Sequence, residues 1–202
     1  MHLLFSQFAK PTGLTGAFVG WFMAKENEQI ICWTLDFLDI QDHDHIVEIG
    51  FGPGQAMKEL LLGSKHHLSI TGIDPSEVMV YQALRKLNKY MRHQYQVQLF
   101  EQGAEPFPKL SRKIDHVFAI NNITFWKDPV STLTKIKQQM NPGAKIALTL
   151  KPHEKGATDT TTELIGGQLK GLLTQTGFQE IAVFIHPTKP NDTVCAVGMN
   201  NG

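Results

Sequence analysis

Apolar residues along the chain follow two alternating patterns. Short runs rich in β-branched side chains predict strands at 46–50, 68–73, 95–100, 114–120, 144–150, 180–186 and 193–199. Between them, apolar positions three and four residues apart predict helices near 54–62, 76–91, 128–140 and 161–176, with Val78, Ala83, Leu84 and Leu87 at helical spacing in the second. Such alternation builds a parallel sheet covered by helices on both faces. Asn141-Pro142-Gly143 is expected to end a helix and turn the chain into the next strand. The short Pro187 to Asn191 link makes the last two runs an antiparallel hairpin. The expected fold is therefore α/β, a doubly wound seven-stranded sheet, mostly parallel, with an antiparallel last strand.

The first 45 residues break this rhythm, with Gly13, Gly16 and Gly20 scattered among Phe5, Phe8, Phe18, Trp21 and Phe22. Within them, Glu26 to Asp39 predicts a helix, because Ile30, Ile31, Thr34, Leu35, Phe37 and Leu38 cluster on one side. Residues 1–45 are expected to form a helical cover or lid over a domain at 46–202, the whole making one compact domain.

Composition narrows the function classes. A chain of 202 residues with 42% hydrophobic side chains buries one core. Nineteen basic and nineteen acidic residues cancel, so no long-range field attracts nucleic acid or an anionic membrane. Arg85, Lys89 and Arg92 share a helix face that reads as solvated. Cys32 and Cys195 stand far apart in no Cys-x-x-Cys spacing, which indicates neither a disulfide framework nor a thiolate zinc site and fits a reducing cytoplasm. Neither a signal peptide nor a membrane span is read. Asp42-His43-Asp44-His45 carries ligand-type side chains, but no third cluster at ligand spacing accompanies it, and His66-His67 reads as a solvated turn. No metal site is expected.

The densest chemical signal is Val47 to Gly54, Val-Glu-Ile-Gly-Phe-Gly-Pro-Gly, an acid and alternate glycines closing an apolar run. Gly50 and Gly52 tolerate positive φ, so a tight strand-to-helix turn can bring bare backbone against a ligand. A dinucleotide turn requires Gly-x-Gly-x-x-Gly. Counting from Gly50, the third required position is Gln55, and Pro53 removes an amide donor. Glu48 suits instead a ligand carrying an ammonium group.

With these residues the sequence resembles the class I S-adenosylmethionine-dependent methyltransferases, the Rossmann-like seven-stranded type, in the group that includes quinone-biosynthesis methyltransferases. The resemblance covers most of the chain. It implies that Glu48, Gly50, Phe51, Gly52 and Gly54 line the methionine and ribose part of the cofactor, S-adenosylmethionine. Gly72-Ile73-Asp74-Pro75-Ser76 is similar to the family's second motif, whose acid, here Asp74, takes both ribose hydroxyls, with Pro75 beside it. Gln102-Gly103-Ala104-Glu105 stands where the family has its third motif. Gly103 replaces an acid that often meets the adenine amino group, which leaves the adenine edge to backbone groups of Gly103 and Ala104. Asn121 would border the methionine end, and the residues after it the acceptor. Met140-Asn141-Pro142-Gly143-Ala144 resembles a structural turn of the family.

The resemblance implies methyl transfer by in-line displacement. Because a sulfonium makes the methyl group electrophilic, the protein mainly has to position the acceptor. No catalytic residue is assigned: His116 lies inside a strand, and His153, although after the fifth strand, reads as a surface residue. The segment Asn121-Asn122-Ile123-Thr124 lacks the Pro-Pro-aromatic signature of enzymes acting on nucleic-acid bases or glutamine. A small, partly apolar acceptor is therefore expected, with Trp21, Phe125 and Trp126 as candidate contacts. Two other readings stay open on sequence, a nucleotide-dependent Rossmann oxidoreductase using NAD or NADP and a catalytically inactive cofactor-binding interaction protein.

Overall fold

The computed structural model describes residues 28–63, 67–91, 95–152 and 156–202. A helix over 28–36 (α1) precedes β1 (His45–Ile49), α2 (Gln55–Gly63), β2 (Ser69–Asp74) and α3 (Glu77–Leu87). There follow β3 (Gln96–Glu101), β4 (Ile114–Ile120), α4 (Pro129–Gln139), β5 (Met140–Leu150), α5 (Asp159–Gln175), β6 (Gln179–His186) and β7 (Thr193–Asn200). All seven strands form one sheet in the order β3-β2-β1-β4-β5-β7-β6. Strands β1 to β5 pair in parallel, and β7 enters antiparallel to both β5 and β6. The α/β class and the antiparallel last strand expected from the sequence are the ones observed.

Two cores lie on either side of the sheet, as strand alternation requires. Val47 and Ile49 join Leu133 and Ile136 of α4 and Leu169 and Leu173 of α5. Ile46 points the other way, to Leu38 and to Met57, Leu60, Ala83 and Leu87 on α2 and α3. Each such aliphatic side chain, fully buried, contributes about 1.5–3 kcal/mol relative to exposure. Strand β1 is consequently fixed on both faces, and the turn that follows it rests on a rigid base.

Three expectations change. Helix α3 stops at Leu87, and its buried stripe is Ala83 and Leu87, while Val78 and Leu84 are 59% and 49% exposed. Leu84 is turned about 100° and Val78 about 140° from Ala83 around the axis, so neither reaches the sheet. The Asn141-Pro142-Gly143 segment is not a helix-to-strand turn but part of β5. Ile114 pairs with Met140 and His116 with Lys145, so residues 141–144 bulge opposite Asp115, which takes a 2.7 Å hydrogen bond from Asn141 Nδ2. Pro142 has no N–H to give the ladder, and Gly143 bends at φ +82°, which makes a bulge the natural outcome. Helix α1 is described over a shorter range than Glu26 to Asp39.

Helix α1 is fastened to the sheet by one buried polar contact and two ring stacks. Thr34 Oγ1 donates to Ile30 O and shares a 2.8 Å hydrogen bond with Thr149 Oγ1 of β5. Trp33 stacks on His186 and Phe37 on Phe184, with ring centroids 5.1 and 4.4 Å apart. Residues 1–27 of the expected cover, Trp21 included, lie outside the described residues, as does His153. Cys32 and Cys195 are both free. No described helix is long and apolar enough to cross a membrane.

Candidate functional site

Beyond Ile49 the chain turns at Gly50 and Gly52, whose φ angles of +74° and +50° are open to glycine at little cost. Gly50 N donates to Ile73 O at 2.7 Å, and Gly52 N donates to Asp74 Oδ2 at 2.8 Å. The other oxygen of Asp74 accepts from Ser76 N at 3.0 Å, while Ser76 caps α3. One carboxylate thus ties the glycine turn to the start of the next helix. Space distinguishes the glycines. A Cβ on Gly50 would collide with the Asn122 side chain, and one on Gly54 would come within 2.9 Å of Ala83 Cβ on α3. Gly52 has nothing within 4 Å of that position among the described residues.

Glu48 shares a strand face with Ile46 and is buried on the side of the sheet that α2 covers, near the Met57 amide. Its Oε2 is buried and has no hydrogen-bond partner among the described residues. Burial, reinforced by the nearby Asp74 charge, pushes its pKa well above the ordinary carboxylate range, against the opposing pull of Lys86 and the Met57 amide. Asp74 is also pushed up by burial, opposed by the amides of Ser76 and Gly52. Buried polar atoms are ordinarily satisfied, so an orphaned carboxylate oxygen beside a second desolvated acid fits a ligand that brings hydrogen-bond donors and positive charge.

A cleft with a cavity volume of about 130 Å³ opens at the carboxyl ends of the strands, where the order reverses between β1 and β4. Ligands of open α/β sheets bind at such switch points. Ile49, Gly50, Ile73 and Pro75 form one part of its lining, and Gly103 and Ala104 another. Asn122, Phe125 and Trp126 close the far side, beyond β4. This last wall is held firmly. Trp126 Nε1 donates to Asn122 Oδ1 at 2.6 Å, and Glu105 accepts from Lys127 N, Asp128 N and Thr132 Oγ1 at 3.1, 2.6 and 3.0 Å. Glu105 therefore ties down the segment that leads into α4, while Asp128 caps the helix by accepting from Ser131 N.

Of the residues picked out on sequence, Gly50, Pro75, Gly103, Ala104, Phe125 and Trp126 line the cleft. Glu48, Gly52 and Asp74 adjoin it through the turn. Phe51 faces the core, buried against Gly72, and Gly54 serves the contact with α3. Asn121 adopts φ +52° and turns its carboxamide to Lys151, whose backbone N donates to Oδ1 at 2.8 Å, while its neighbour Asn122 reaches the cleft. His116 lies at the opposite end of the sheet, with Nε2 3.1 Å from Asp44 Oδ2. The sequence does not reveal that Asn122 takes the cleft position expected of Asn121, nor the anchoring role of Glu105. The first was hidden by the left-handed backbone at Asn121, the second by 22 or more intervening residues.

Residues 47–146 match the methyltransferase domain family. A relative from Bacillus subtilis, the uncharacterized methyltransferase YdaC, is 34% identical over 177 residues, 88% of this chain and 94% of its own length. A tRNA U34 carboxymethyltransferase from Campylobacter concisus is 33% identical over 103 residues, so the chain spans about a third (34%) of that protein and matches it over 51% of its own length. Among solved structures, phosphoethanolamine N-methyltransferase 2 of Haemonchus contortus in complex with S-adenosyl-L-methionine superposes with a TM-score of 0.67 at 14% identity. That match covers 86% of this chain and 53% of the other.

Proposed function

The chain belongs to the class I S-adenosylmethionine-dependent methyltransferases, and we propose that within this family its methyl acceptor is a small, partly apolar molecule. Family membership removes the oxidoreductase reading. When bound, S-adenosylmethionine supplies a methyl group on a sulfonium, already electrophilic without help from the protein.

The chain's own residues divide the remaining work. Glu48, with its unpartnered Oε2, would face the cofactor's ammonium through the turn, and Asp74 its ribose hydroxyls. Backbone at Gly50 and Gly52 allows close approach, and Gly103 and Ala104 offer backbone groups to the adenine. Asn122, Phe125 and Trp126 form the wall against which an acceptor would be oriented, and the Trp126–Asn122 bond, with Glu105 holding the residues that follow, limits its freedom. No side chain is assigned as a base. The single observation carrying the acceptor class is this aromatic wall, with Phe125 and Trp126 lining the cleft at the carboxyl ends of the strands.

The zero formal charge supports the same reading against an RNA acceptor. Relatives named as tRNA U34 carboxymethyltransferases favour RNA, though the match to the Campylobacter protein reaches only half of this chain. The deciding experiment has two parts. Calorimetry with S-adenosylhomocysteine should show binding, with Asp74→Ala weaker by about 1–3 kcal/mol from the lost ribose and turn contacts. Transfer of labelled methyl from S-adenosylmethionine is then compared between a panel of small phenols, amines and thiols and a preparation of bulk tRNA. Labelling of tRNA with none in the small-molecule panel would overturn the acceptor class while leaving the family intact.

A further inference from the structure

At the end of the sheet opposite the cleft, two loops far apart in sequence meet. Asp42 and His43 precede β1, His67 precedes β2, and their three ligand atoms lie within 4.8 Å of one another. Asp42 Oδ2 is 3.5 Å from His43 Nε2, and Asp42 Oδ1 is 3.3 Å from His67 Nδ1. Ligand atoms about 2.0–2.1 Å from one tetrahedral zinc ion are about 3.3–3.4 Å from each other, so each imidazole nitrogen lies at about that distance from one oxygen of the shared carboxylate. The two imidazole rings stack nearly parallel, with centroids 5.1 Å apart, which keeps both beside the Asp42 carboxylate.

The backbone holds this arrangement from outside the ligand set. His43 sits at φ +67°, and Arg112 Nη2 donates to its carbonyl. His67 N donates to Asp42 Oδ1 at 2.6 Å, which orients the carboxylate between the rings. All three residues are exposed, so an ion reaches them directly from solvent. Two imidazoles and one carboxylate suit a borderline first-row dication, whereas magnesium and calcium prefer all-oxygen shells. Three protein ligands leave a tetrahedral ion one vertex for water.

We infer that Asp42, His43 and His67 form a binding site for a transition-metal dication, typified by zinc, that clips the loop entering β1 to the loop entering β2. The site is separate from the cleft and does not depend on the acceptor proposed above. Its effect is on stability, because an ion that binds only the folded chain shifts unfolding to higher temperature.

The test is calorimetric titration of the full chain with zinc chloride in a non-coordinating buffer, paired with thermal unfolding. The wild-type protein is expected to bind one zinc per chain at this site and to unfold at a higher temperature in its presence. His67→Ala should weaken that binding at least tenfold, and His43→Ala with His67→Ala should abolish it together with the thermal shift. Asp42→Asn keeps an acceptor for the His67 amide, so it preserves the loop and should still weaken zinc at least tenfold. It stands as the reading if the double variant fails to fold. His186→Ala, outside the cluster, should bind as the wild type does. Absence of zinc binding, undiminished binding in the variants, or equal affinity for magnesium would overturn the proposal.

Discussion

The carboxamide of Asn122 occupies the space that a Cβ on Gly50 would need, and Gly50 itself sits at φ +74°. The glycine is thus required twice, by backbone conformation and by a neighbour across the cleft. Gly50→Ala is expected to lower stability by about 1–3 kcal/mol through left-handed strain, with further loss if Asn122 cannot withdraw from Trp126. Urea unfolding measures the first effect. Binding of S-adenosylhomocysteine, read at a temperature where the variant stays folded, should be lost, and a variant with normal stability and affinity would refute the linkage.

Glu48 predicts a pH dependence. Its folded pKa is raised well above the ordinary carboxylate value, chiefly by burial. Between the unfolded and folded pKa values the native protein holds a proton that the unfolded chain has lost. Its contribution to stability is complete below the unfolded pKa and declines as pH rises through the folded one. Glu48→Gln should remove that alkaline decline, leaving a flatter profile and a more stable apoprotein near neutrality, while weakening S-adenosylhomocysteine. Unfolding midpoints of both proteins across pH 5–9 decide it; parallel profiles would contradict the assignment.

Glu105 accepts three hydrogen bonds from the segment that starts α4. Glu105→Ala should cost about 1–3 kcal/mol in urea unfolding. Because that segment carries Phe125 and Trp126, the variant should raise KM for an acceptor more than it changes the affinity for S-adenosylhomocysteine. Equal effects on both would show that Glu105 does not act through the aromatic wall.

The proposed N-terminal cover makes its own prediction. Deleting Met1 to Gly20 should abolish turnover more than cofactor binding, since α1 remains tied to β5 through Thr34 and Thr149. Undiminished turnover in the truncated protein would remove the lid from the mechanism.

Sheet architecture was legible because β1, β4 and β5 are apolar runs bounded by turn residues, and burial on both faces leaves such runs few alternatives. What escaped was set by contacts at a distance. Val78 and Leu84 look inward by composition yet miss the Ala83 and Leu87 stripe. The Asn141-Pro142-Gly143 bulge depends on Asp115, which no local pattern pairs with it. In the candidate site, the glycine turn and Asp74 could be read from spacing, but the division between Asn121 and Asn122 turns on one φ angle. The sequence also offered Asp42 and His43 without His67, because only the parallel pairing of β1 with β2 brings the two preceding loops side by side.

The open space beside Gly52 separates it from the other glycines of the turn. Gly50 and Gly54 cannot be altered without disturbing neighbours that hold the fold, whereas a side chain at Gly52 would project where no atom of the described residues lies within 4 Å. Asparagine tolerates the left-handed backbone found there. Gly52→Asn is therefore a route to a well-folded but silent form of the protein, a control in cells that distinguishes what the enzyme does from what its mere presence does.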